Sequence, residues 1–174
     1  MKARAVVALS LACLGGAAGS PAAQEPGVGV GAAAPAVRVH DLEGRSVDLA
    51  RYIGKKPLFL EFWATWCELC EELMPRVRAA QATYGSDVEF IGINVTVNQS
   101  RDRVRRYIET HKPPFKTLYD DEGTSTRAYE VPATSYVVIV DRSGTIAYTG
   151  SGGSQDFDPV LRRVSQNKPP SRQD

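Results

Sequence analysis

Apolar and polar positions along the chain fall into a series of distinct periods. Val37 and Val39 alternate with Arg38 and His40, the period-two signature of a short half-buried strand. Asp41-Leu42-Glu43-Gly44 reads as a turn, and residues 47–49 return from it. Leu58-Phe59-Leu60-Glu61-Phe62-Trp63 is almost unbroken apolar sequence, as in a central strand covered on both faces. Leu69, Leu73, Val77, Ala80 and Tyr84 then recur every three or four residues, which predicts an amphipathic helix. Pro75 inside it predicts a kink or an interruption. Residues 88–97 form a second strong strand pattern. Residues 100–111 predict a helix, with Val104, Tyr107 and Ile108 on one face, arginines on the other, and Pro113-Pro114 as its stop. Residues 117–119 predict a short strand. Residues 135–140 and 145–149 predict a hairpin around Asp141-Arg142-Ser143-Gly144. Phe157, Val160, Leu161 and Val164 mark a last amphipathic helix.

This order of elements predicts an α/β sandwich. A central mixed β-sheet is flanked by helices, with a βαβ first half and a hairpin plus helix at the end. The loop after the first central strand then lies at the carboxyl edge of the sheet, where ligand chemistry concentrates.

The termini change the picture. Lys2 and Arg4 precede an apolar run, residues 5–14, and small residues follow to Ala23, so residues 1–23 read as an export signal peptide. The run is shorter than the ~20 apolar residues that span a bilayer. Cys13, behind Leu11 and Ala12, loosely resembles a lipoprotein anchor site. Ser10, however, stands where such signals carry an aliphatic residue, and a small apolar residue in a discarded segment is the plainer reading. Residues 24–34 are rich in Gly, Ala and Pro and read as a linker, and residues 166–174 as a flexible tail, leaving one domain over 35–165. Net charge is +1, which gives no basic field for nucleic acid. Export implies a periplasmic or envelope location.

Losing the leader would leave two cysteines, Cys67 and Cys70, two residues apart. So short a loop does little to staple a fold, so chemistry is the better reason for the pair. Cys67 falls where strand gives way to helix. There the unpaired N–H groups and the dipole favour a thiolate, the attacking species. Cys70, one turn on, is placed to resolve a mixed disulfide. A zinc half-site would need a second ligand pair, and His40 and His111 are not spaced to supply one. No metal and no cofactor is expected.

Phe62-Trp63-Ala64-Thr65-Trp66-Cys67-Glu68-Leu69-Cys70 resembles the active-site segment of thioredoxin-like proteins, most closely the exported TlpA/ResA type. Met74-Pro75, Val131-Pro132-Ala133-Thr134, Asp141-Arg142-Ser143-Gly144 and Gly152-Gly153 fit that type, over about residues 35–165. The resemblance implies a thioredoxin-like three-layer sandwich and a thiol-disulfide oxidoreductase acting on envelope protein thiols, with an upstream membrane electron donor. Relatives act on apocytochrome c thiols, copper-site assembly proteins or other envelope proteins. The resemblance makes Pro132 a cis-proline facing the disulfide, with Trp66 and Val131 beside it as substrate-binding residues. Glu61, six residues before Cys67, becomes the buried acid that relays protons to Cys70. Burial between Leu60 and Phe62 should raise its pKa towards the range of general acid–base work.

The chain also departs from the pattern. Leu69 replaces the motif's common proline, and Glu68, Glu71 and Glu72 crowd Cys67. Negative charge opposes a thiolate, which favours the disulfide and hence the reductase direction. Two other functions fit less well. A thiol peroxidase would share only Thr65-x-Cys67 of its signature, and a copper-binding metallochaperone would use both thiolates as soft ligands but more often spaces them by three residues.

Overall fold

The computed structural model describes residues 27–166. The leader, Cys13 and residues 167–174 lie outside them. The described chain builds one seven-stranded mixed sheet in the order β2-β1-β5-β4-β3-β6-β7. Its strands are β1 (Arg38–His40), β2 (Ser46–Asp48), β3 (Leu58–Trp63), β4 (Glu89–Asn94), β5 (Lys116–Tyr119), β6 (Tyr136–Val140) and β7 (Ile146–Ser151). The helices are α1 (Glu68–Tyr84), α2 (Arg101–His111), α3 (Thr124–Ala128) and α4 (Asp158–Gln166).

β3 is the axis of this arrangement. It pairs parallel with β4 and antiparallel with β6, and all six of its residues are buried. That is why its sequence lacks alternation. Alternate side chains still serve different clusters. Phe59 packs with Leu73, Val77 and Ala80 of α1 and with Leu161 and Val164 of α4. Its ring stacks on Phe90 at 4.9 Å and meets the edge of Phe157 at 5.2 Å. Leu58, Leu60 and Phe62 join Ile91, Ile93, Val138 and Tyr129 in the other cluster. α1 also touches the end of α2, where Arg78 donates to the His111 and Lys112 carbonyls.

Several local expectations change in the fold. α1 runs through Pro75 without a break. Leu73 and Val77 are buried on either side of it, so core packing holds both half-turns. The carbonyl that Pro75 leaves unpaired belongs to Glu71, on the exposed side of the helix. β4 ends at Asn94 rather than 97, because Thr96 (φ 63°) and Asn98 (φ 54°) turn the chain through the left-handed region. α3 had no periodic signal. It forms because the buried Asp120 carboxylate accepts the Ser125 and Thr126 N–H groups and the Thr126 hydroxyl, which starts the turn from outside the helix.

Residues 27–34, whose composition suggested a linker, are tied to the domain. Gly31 N–H donates to the Ile146 carbonyl, Ile146 N–H to Ala32 and Ala34 N–H to Gly144, while Val28 packs on the core. A small-residue segment has few side chains of its own to bury, but its backbone satisfies the open edge of β7.

Gly92 of β4 lies opposite Glu61 of β3 and Thr117 of β5. A Cβ here would fall inside the van der Waals envelope of the Phe115 ring. Gly92→Ala should therefore lower the unfolding free energy by about 1–3 kcal/mol in urea melts, the usual cost of overpacking. An unchanged midpoint would show that Phe115 moves aside freely.

Candidate active site

The site forms where β3 ends. Three residues of turn, Ala64-Thr65-Trp66, carry the chain to Cys67, the N-cap of α1. Cys67 is extended (φ −88°, ψ 101°), and its Sγ accepts the Cys70 N–H at 3.1 Å. A sulfur in this place meets one of the four unpaired N–H groups that every helix start presents. Cys67 and Cys70 are joined as a disulfide with S–S 2.06 Å and Cα–Cα 5.2 Å. Both are buried, at 4% and 2% exposure, so exposure does not tell the two sulfurs apart.

The surroundings of the disulfide are apolar and open. Four large hydrophobic side chains are exposed among the described residues, and two of them, Trp66 and Leu69, flank the cysteines. A third, Val97, is joined to Trp66, whose indole N–H donates to its carbonyl at 2.7 Å. The same loop reaches the turn again, where the Gln99 side chain accepts the Thr65 N–H at 3.0 Å. Nothing in the periodicity marked this 95–99 loop as part of the site, and left-handed Thr96 and Asn98 are what bend it there. Glu68, Glu71 and Glu72 are exposed on the first turns of α1, so solvent screens their effect on the sulfurs.

Glu61 is fully buried at 0% exposure. It shares the face of β3 that carries Phe59, and α1 covers that face. Neither carboxylate oxygen has a hydrogen-bond partner among the described residues, and the indole N–H of Trp63, two residues on, is also unpaired. Desolvation alone pushes the Glu61 carboxyl up from 4.5 to about 8. The Tyr107 phenol of α2 is raised first by its own burial and then by the negative charges of Glu71 and Glu61.

Pro132 does not take the expected cis form. No peptide bond among the described residues is cis, so the bond before Pro132 is trans. Its side chain is exposed. The cause is upstream: the chain leaves α3 through left-handed Glu130 (φ 48°), and the Val131 N–H is taken by the Thr126 carbonyl. Pro132 thus sits in an outer loop with the ordinary trans preference of such bonds. The residue that meets the redox turn is Ser135. It is fully buried, has φ 62°, and its Oγ lies 3.3 Å from the Leu69 carbonyl. A polar residue directly before a five-residue apolar strand was its only sign in the sequence. His40 pairs with Asp121 and His111 stacks on Tyr107, so each has a local structural partner.

A mixed sheet of this topology, with a Cys-x-x-Cys disulfide closing the first turn of the helix after the central strand, defines a thioredoxin-like thiol-disulfide oxidoreductase of the TlpA/ResA type. The family model described as Redoxin matches residues 29–163, and the chain belongs to that family. It is 30% identical over 144 residues to the thiol-disulfide oxidoreductase ResA of Geobacillus thermodenitrificans, covering 81% of each chain. It is 32% identical over 124 residues to the thioredoxin-like protein YneN of Bacillus subtilis, covering 71% of this chain and 72% of that one. Among solved structures, it superposes on the thioredoxin domain of a thiol-disulfide oxidoreductase from Bacteroides vulgatus with a TM-score of 0.67 at 23% identity, covering 79% and 99% of the two chains. A thiol:disulfide interchange protein of the thioredoxin family from Chlorobium tepidum gives 0.63 at 23% identity, covering 83% and 99%.

The buried carboxyl has a measurable signature in the oxidised protein. Below about pH 4.5 Glu61 is protonated whether folded or not. Between there and about pH 8 the folded chain keeps a proton that the unfolded chain has released, so stability falls as pH rises. Glu61→Gln removes this slope. Its urea stability relative to wild type should improve through pH 5–8 by up to about 1.4 kcal/mol per pH unit. Parallel profiles for the two proteins would mean that Glu61 titrates normally.

Proposed function

We propose that this protein reduces disulfides of protein substrates in the cell envelope, with Cys67 as attacking thiol and Cys70 as resolving thiol. The observation that carries this reading is the disulfide on the first turn of α1, with Cys67 Sγ held by a helical N–H and framed by exposed Trp66, Leu69 and Val97. In the dithiol state the Cys67 thiolate attacks one sulfur of a substrate disulfide and expels the other as a thiolate. Cys70 then attacks Cys67 in the mixed disulfide, releases the second substrate thiol and leaves the Cys67–Cys70 disulfide. Two electrons pass to the substrate, and an electron donor at the membrane returns them. The apolar surface beside Cys67, with Val131 at its margin, receives the side chains next to the substrate cysteine. The basic leader followed by an apolar run supports export, as does the kinship with ResA.

Glu61 has the chemistry to move the resolving proton. Cys70 attacks as a thiolate, and a buried carboxyl with a pKa near 8 exchanges protons readily at neutral pH. Glu68 and Glu71 on the first turn of α1 add to the reducing direction only weakly through solvent, because negative charge disfavours a thiolate.

Equilibration with glutathione tests the direction. The potential should lie well below the ~−120 mV of strong oxidants, towards the ~−270 mV of thioredoxin; a value near −120 mV would refute the reductase assignment. Cys70→Ser should accumulate a mixed disulfide at Cys67 with an envelope protein. Glu61→Gln should form the mixed disulfide at close to the wild-type rate and release it about tenfold or more slowly in stopped-flow. Equal slowing of both steps would remove Glu61 from the relay.

A further inference from the structure

We infer that Ser135 is a positioning residue for the redox pair, acting through the peptide group between Leu69 and Cys70; this rests on the oxidoreductase reading above. Ser135 sits where the outer loop 131–134 becomes β6, and its N–H donates to the Phe62 carbonyl of β3 at 2.9 Å. That bond fixes its backbone against the strand that leads to the cysteines. Its φ of 62° is unusual for a residue with a side chain, and the conformation aims Oγ at two carbonyls, Gly152 at 3.0 Å and Leu69 at 3.3 Å.

A serine hydroxyl has one proton, so it donates to one of these carbonyls at a time. The Gly152 carbonyl does not depend on it. Gln155 Nε2 donates to Gly152 at 2.6 Å and to the Ser135 carbonyl at 2.9 Å, and the Tyr148 hydroxyl donates to Gln155 Oε1 at 3.3 Å. This network holds Ser135 from behind and leaves its proton free for Leu69. Gln155 is itself buried, so it is a fixed support rather than a surface contact.

Leu69 lies inside the ring that the Cys67–Cys70 disulfide closes. Its carbonyl belongs to the peptide group that carries the Cys70 N–H, the same N–H that Cys67 Sγ accepts. A hydrogen bond at one end of that peptide polarises it and strengthens donation at the other. When the disulfide is reduced, Cys67 can carry a thiolate, which accepts that N–H more strongly than a disulfide sulfur does. Ser135 therefore favours the dithiol form with Cys67 as thiolate over the disulfide, and it couples the loop 131–134 to the redox turn.

The test compares Ser135→Ala with Ser135→Gly. Both remove the hydroxyl, while Gly relieves the left-handed backbone and Ala does not. The Gly variant should be the more stable of the two in urea. The equilibrium constant for disulfide formation against glutathione should nevertheless rise about three- to tenfold in both, as expected for one hydrogen bond, a fall in potential of about 15–30 mV. Retention of the wild-type constant by either variant would overturn the proposal, as would a change that tracks stability. If Ala does not fold, the Gly variant alone decides. A wild-type pair that fails to exchange with glutathione at all would overturn the oxidoreductase reading, and this one with it.

Discussion

The structure depends on the complete burial of β3. Its backbone pairs on both sides, and its side chains face packed clusters above and below. No loop or ligand is needed to fix where it ends, because the strand is held along its whole length. The turn 64–66 and the start of α1 inherit that rigidity. A helix start delivers unpaired N–H groups wherever it is placed, and here it is placed at the end of the most constrained strand. The redox pair thereby rests first on core packing, to which its own hydrogen bonds are added.

The same burial creates the chemical asymmetry of the site. Cys67 and Cys70 are almost equally hidden, so solvent access does not separate their roles. What separates them is direction. Cys67 caps the helix and takes an N–H. Cys70 supplies that N–H and is buried in the core cluster that holds Phe62 and Trp63, while Glu61 is buried with no hydrogen-bond partner among the described residues. An unpaired buried carboxyl is costly to keep ionised, and the fold keeps this one by letting it hold a proton. Gly92 belongs to the same arrangement, since its missing side chain lets Phe115 lie over the row that contains Glu61.

The second wall of the site comes from distant parts of the chain. Loop 95–99 grips Thr65 and Trp66 from β4, and Ser135 reaches Leu69 from β6. Pro132 looked like the natural contact in one dimension, because a proline before an apolar strand is a conspicuous signal. β6 begins only at Tyr136, and Pro132 stays exposed in the loop before it. A small polar residue carries no comparable signal until the carbonyls it meets are known.

By itself the sequence determined the central strand, the amphipathic helices, the closing hairpin and the cysteine pair at a strand–helix junction. These rest on local periodicity and on the fixed geometry of a helix start. It also made Glu61 conspicuous as the one charge in an apolar strand. Only the tertiary structure decided that α1 continues through Pro75, that residues 27–34 cover the edge of β7, and that Ser135 rather than Pro132 meets the redox turn. Each depends on partners far away in the chain, and long-range packing overrides local preference where it buries enough surface. The Cys67–Cys70 spacing was legible because its chemistry is local. The contacts of loop 95–99 and Ser135 with its turn were not, because they form only when the sheet is assembled.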